Sequence, residues 1–266
     1  MALLSNKEII LSAGAINSPQ IMMLSGIGPT DHLEKLNIKP RLHHPHVGRN
    51  LQDHPSIVLQ YSRTDDSRFQ RQLRYDRLTI SIVQAVLTGT GFATENPAQV
   101  MAFIKSSKNL EMPDIQLFCR AGLLSAKPWF PVITPPTMDG YVIRTCQLRP
   151  ESRGFIELAS SDPTEKPKIQ NNFLERETDR RVLRQSVRIT RDLIRQDALK
   201  NITGDEINPG NSIQSDEEID AFIRENIQTV FHPACTCRMG TDDEAVLDSE
   251  MKVRGIDNLR VVDASA

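Results

Sequence analysis

Apolar residues recur at three- and four-residue steps through residues 178–196, where Val182, Leu183, Val187, Ile189, Leu193 and Ile194 make one stripe. That period predicts an amphipathic helix with its arginines outward. A second helix is predicted from Ser215, since Ser215 and Glu218 have capping-box spacing and Ile219, Phe222, Ile223 and Ile227 share a side. Near the start, residues 8–14 read as a short buried strand running into a glycine turn. Ser18 then reads as an N-cap with Pro19 at the first helical position and Ile21, Met22 and Leu24 as the apolar side. Gly26-Ile-Gly28-Pro29 should stop that helix. A shorter one over residues 31–36 leads to a Pro/His-rich loop at 40–45.

From residue 56 to about 150 the pattern changes to strands and irregular connections. Strands are expected at 57–61, 98–104, 114–119 and 141–148, and a half-exposed one at 155–159, where apolar and polar residues alternate. Residues 78–87 fit the helical and the extended period equally. Residues 128–136 form a long loop with the chain's one tryptophan, Trp129, and such loops often line sites. Residues 259–263 close the chain as a buried strand. There is no internal repeat and no low-complexity segment.

A chain of 266 residues can bury one large core or two modest ones. With 39% hydrophobic and 25% charged residues and a net charge of −2, it has an ordinary globular composition and no electrostatic case for nucleic acid. The basic stretches 63–77 and 176–195 read as solvated surface. No apolar run is long enough to span a bilayer, and the first residues lack the features of a secretory signal. Four cysteines do not make a disulfide framework in a chain this size, so the expected compartment is the cytoplasm, with membrane association left open.

Two motifs near the ends carry the chemistry. One is Gly14-Ala-Ile-Asn-Ser-Pro-Gln-Ile-Met-Met-Leu-Ser-Gly-Ile-Gly28. The other is Phe231-His-Pro-Ala-Cys-Thr-Cys-Arg-Met-Gly240, followed by Asn258-Leu-Arg-Val-Val-Asp-Ala-Ser-Ala266. Together they resemble the glucose–methanol–choline (GMC) flavoprotein oxidoreductases, most closely the choline dehydrogenase branch. Residues 47–55, Ser152-Arg-Gly154, Ser161-Asp-Pro163, 245–248 and 253–258 extend the resemblance and are given structural roles first.

The resemblance implies an α+β fold. Residues 1–55 would be part of an α/β FAD-binding domain and 56–229 a mostly antiparallel-sheet substrate-binding domain with flanking helices. Residues 230–266 would return to the FAD-binding domain. The implied cofactor is FAD and the implied partner a small-molecule alcohol, with choline the leading candidate. The electron acceptor is unassigned, and a peripheral membrane contact is compatible with the resemblance. Gly14, Asp263 and Ala264 would lie near FAD, Gly14 because a backbone without a side chain allows close approach. His232 aligns with the family's catalytic histidine. Oxidising an alcohol removes a hydride from carbon and a proton from oxygen, and an imidazole, with an unperturbed pKa near ~6.5, suits the proton.

No metal site is expected. A single Cys-x-Cys at Cys235 and Cys237 lacks a second ligand pair, and on a strand both thiols would face one way into packing. His43, His44 and His46 read as exposed imidazoles in a Pro-rich loop. Two departures stand out. No Gly-x-Gly-x-x-Gly phosphate turn occurs, and the chain ends before the family's second catalytic histidine or asparagine. These point to a fragment. The alternative reading is a non-catalytic GMC-like piece that binds no flavin without a companion segment.

Overall fold

A computed structural model describes residues 5–98 and 100–266, a mixed α/β chain whose elements divide between two units. The first unit draws on residues 5–54, 150–179 and 229–266, the second on 55–149 and 180–228. Residues 150–179, which the expected division placed with the middle of the chain, thus join the terminal segments. Their backbone explains why. Leu51 and Gly154 exchange two amide–carbonyl bonds of 3.0 and 2.8 Å, and the Asp179 carboxylate accepts from the amides of Glu151 and Ser152 at 2.9 and 2.8 Å. Gly154 is required there, since a Cβ would lie 2.1 Å from the Gln170 carbonyl oxygen.

In the first unit, strands Ile9–Leu11 and Leu259–Val261 pair in parallel, Ile9 opposite Leu259. Ile9 and Ile10 are 51% and 53% exposed, so the expected buried strand is buried only at Leu11, and then partly. The core lies behind it, where Met22, Met23, Leu33, Val246, Leu247 and Val261 are fully buried. Strand Phe155–Glu157 alternates as expected, with Ile156 buried, and pairs with Lys168–Gln170, which had no sequence signal.

The helix expected from Ser18 begins earlier, at Gly14, and runs Gly14–Leu24 with Pro19 inside it. A proline within a helix has no N–H for the carbonyl four residues back, here that of Ala15. The Thr236 hydroxyl takes that place, donating to the Ala15 carbonyl at 2.5 Å. Ser18 is no cap. It is fully buried, and its hydroxyl accepts from the Ala13 amide at 3.1 Å. The next helix, Thr30–Lys35, lies where it was expected.

The second unit is built on an antiparallel sheet. Five strands lie in the order Thr203–Asn208, Pro55–Arg63, Gly140–Gln147, Ile115–Ala121, Val100–Ile104. Four of these five strands were legible, but Thr203–Asn208, which reads Thr-Gly-Asp-Glu-Ile-Asn, was not. The inner strand buries Ile57, Leu59 and Tyr61 completely. Helix Glu177–Ile194 follows the predicted stripe with one correction: Arg191 is inside. Its guanidinium clamps the Glu206 carboxylate on the edge strand with bonds of 2.7 and 3.0 Å, and Tyr61 donates to the same carboxylate at 3.3 Å. Helix Asp216–Asn226 has the full capping box at Ser215.

The ambiguous stretch is a helix, Tyr75–Thr88, ended by Gly89 in the left-handed region. Ser81 is its buried residue, while Ile80, Val86 and Leu87 are exposed, which is why the apolar period pointed to no single face. Among the described residues no helix is long and apolar enough to cross a membrane.

Candidate functional site

The first unit ties its sequence motifs together through one carboxylate. Asp263, just past the last strand, accepts from the Gly14 amide at 2.9 Å and the Ser18 hydroxyl at 2.5 Å on one oxygen. Its other oxygen accepts from the amide and hydroxyl of Ser265 at 2.7 and 2.6 Å. Burial alone would raise this carboxyl, but the donors from Ser18, Ser265 and Gly14 outweigh it and hold the pKa below the usual carboxylate value. With four donors the side chain is a clamp. It fixes the start of the helix Gly14–Leu24 against the chain end, so the groups left to meet a ligand are the Gly14 backbone and the exposed Ala264. Gly14 has φ +87°, a conformation that favours glycine, and no neighbouring atom lies within 4 Å of where its Cβ would stand. The backbone is open on that side, while the positive end of the helix meets the Asp263 carboxylate.

The His232 motif is laced to the same segment. The amides of Cys235 and Cys237 donate to the carbonyls of Ala264 and Ser265 at 2.9 and 2.6 Å, with Thr236 between them bonded to Ala15. Cys235 has φ +65°, so this piece is not an extended strand and the expected common direction of the two thiols does not hold. Cys237 is fully buried with its sulfur 3.7 Å from that of Met22, and burial pushes its thiol up to about 12. Cys235 is half-buried, its thiol also raised by burial. Among the described residues no three histidine, cysteine or acidic side chains gather as metal ligands. Of the loop imidazoles, His44 corrects the expectation of exposure. It is buried, and burial, then His46 and His43, lowers its pKa.

His232 is exposed and follows Phe231, which has φ +64°. For a bulky residue that conformation costs about 1–3 kcal/mol and persists only when its surroundings enforce it. The His232 amide donates to Asp53 at 3.1 Å. Its ring stands edge-to-face with that of His54, centroids 5.7 Å apart and planes at 87°. Gly14, Asp263 and Ala264 are thus joined directly by hydrogen bonds to each other or to the strap that carries His232. Sequence reasoning missed Ser18, Asp53 and His54 as parts of the site. The signal for the last two was their adjacency within residues 47–55, which had been given a structural role.

Residues 2–56 and 150–266 match the N-terminal and C-terminal family models described as GMC oxidoreductase. The oxygen-dependent choline dehydrogenase of Vibrio vulnificus (strain YJ016) is 40% identical over 263 residues, covering 98% of this chain and 46% of that protein. Human mitochondrial choline dehydrogenase is likewise 40% identical, with 98% and 44% covered. A formate oxidase variant from Aspergillus oryzae RIB40, solved for its effect on FAD modification, superposes with a TM-score of 0.87 at 27% identity over 99% of this chain and 50% of its own. Pyridoxine 4-oxidase from Mesorbium loti gives 0.78 at 27% identity, with 97% and 46% covered. The chain belongs to the GMC oxidoreductase family. It spans about half the length of the curated relatives it matches.

Proposed function

We propose that this chain supplies the catalytic-histidine half of an FAD-dependent oxidoreductase acting on the CH–OH group of a small alcohol. The observation that carries the reading is the single network joining Gly14, Asp263 and the His232 strap. It joins an exposed imidazole and the start of the helix Gly14–Leu24 in one set of hydrogen bonds. Residues 5–54 and 229–266 belong to the FAD-binding part in this reading, and the antiparallel sheet of the second unit to the substrate-binding part. The residues present fit the cofactor in one respect: the Gly14 backbone is open where a side chain would stand, so a flat group can approach it closely. The phosphate-cradling glycine turn is not among them.

FAD, when bound, supplies the hydride acceptor. His232 accepts the hydroxyl proton at an imidazole nitrogen, or stabilises the developing alkoxide when protonated, and so favours the transition state over the bound alcohol. The Asp263 side chain holds Gly14 and the chain end in place beside the proposed cofactor position. Choline is the proposed substrate, because two relatives of 40% identity bear its name. Phe231, 80% exposed beside His232, offers an aromatic face to a quaternary ammonium.

The test is anaerobic mixing of the flavin-loaded protein with choline and with simple alcohols, following the flavin band. Bleaching by choline, slowed about 10²–10⁴-fold in His232→Ala, is expected. A loaded protein that no alcohol bleaches would contradict the proposal, and a chain that takes up no flavin would support the reading of a non-catalytic GMC-like piece.

A further inference from the structure

We propose that Asp53 is the positioning residue of this site: its buried carboxylate, acting with the Thr229 hydroxyl, holds Phe231 in its left-handed conformation and so sets the His232 imidazole against that of His54. The inference deepens the alcohol-oxidation reading and rests on it only for the use made of His232.

Each link is a hydrogen bond within the first unit. One Asp53 oxygen accepts from the amide of His54 at 2.7 Å and from the amide of His232 at 3.1 Å. The other accepts from the Thr229 hydroxyl, and that hydroxyl accepts in turn from the Phe231 amide at 2.8 Å. The clasp is flanked on both sides. The Val230 amide donates to the His54 carbonyl at 3.3 Å, and Gln52 and Ala234 exchange amide–carbonyl bonds of 3.0 and 2.9 Å. Asp53 itself is only 7% exposed, so its carboxylate depends on these donors.

Phe231 shows what the clasp is for. An aromatic residue at φ +64° is strained, and the usual compensation would be burial of its ring, yet that ring is 80% exposed. No core packing therefore enforces the conformation. The bonds that do are those made by Thr229 and Asp53, and the residue whose direction they set is the next one, His232. Because both histidines hang from one carboxylate oxygen by their own amides, the two rings share a reference point. Their edge-to-face contact follows from it. Asp53 touches no substrate in this account and acts wholly through the two residues that it orients.

The experiment is NMR on this chain as it stands, reading amide exchange at Phe231 and His232 together with the imidazole Cε1–H resonances of His54 and His232. In Asp53→Ala, exchange at both amides should quicken about tenfold or more and both imidazole resonances should move, with Met22 and Val261 still protected. Thr229→Val should do the same at Phe231 and His232, and Thr229→Ser should restore the parent pattern. Asp53→Asn, which preserves shape and one acceptor oxygen, serves where the alanine variant does not fold. Unchanged exchange and resonances at His232 in the Asp53 and Thr229 variants would overturn the proposal. So would a loss of protection spread evenly over the unit, which would make Asp53 a general stabiliser. None of these readouts needs flavin, so failure of the cofactor reading and failure of this one are separately visible.

Discussion

Single residues in this chain do work that their type alone does not announce. Ser18 has every mark of an N-cap, yet it lies in the fifth position of the helix and serves the Asp263 clamp instead. Local preference was outvoted by a partner 245 residues away, which no window of sequence can see. Gly14 was legible as special, but for another reason: its φ of +87° demands glycine whether or not a ligand comes close. Gly14→Ala should therefore cost about 1–2 kcal/mol of stability, read from denaturant midpoints, since the space around it admits a methyl group.

Asp263 gives a prediction in pH. Its folded-state pKa lies below the unfolded value of about 3.9, so the unfolded chain binds more protons in that range. The stability it contributes is complete above the unfolded value and is lost as pH falls through the folded one. Urea midpoints of the parent should drop below pH ~4 more steeply than those of Asp263→Asn, and parallel curves would contradict the clamp.

At the scale of elements, the strongly periodic pieces were readable and the polar ones were not. The helix from residue 177 follows its apolar stripe and the Ser215 helix its capping box. Strand Thr203–Asn208 has one buried residue, Glu206, and that residue is charged, so the pattern carried no strand signal. Its place depends on Arg191, which the helical period had turned outward. With side chains only 7% and 3% exposed, the pair cannot lose one member cheaply. Arg191→Ala should cost about 3–5 kcal/mol in thermal or denaturant unfolding, because it leaves Glu206 buried without its cation.

The proline inside the first helix makes a second case. Thr236→Val removes the hydroxyl that serves the Ala15 carbonyl and should cost about 1–3 kcal/mol. In a Pro19→Ala background an amide is available to that carbonyl, and the same change should cost measurably less. Equal costs in the two backgrounds would break the link between proline and threonine.

For the whole molecule, the legible part of the candidate site was the part that motifs single out along the chain: Gly14, His232, Asp263 and Ala264. The less legible part is what holds them, because Asp53, Thr229 and Thr236 act through bonds that close over 179, 176 and 221 positions. Apolar residues exposed on helix Tyr75–Thr88, Ile80, Val86 and Leu87 among them, lead to a further expectation. The chain should self-associate as its concentration rises, measured by sedimentation velocity, and a monomer at all concentrations would contradict it.

In the proposed function, the piece carrying Gly14, His232 and Asp263 forms a usable flavin site. The visible absorption spectrum of the purified chain, prepared with excess FAD and freed of unbound cofactor, tests it most directly. Flavin bands should co-migrate with folded protein and weaken in a variant such as Asp263→Ala. A folded but colourless chain would contradict it.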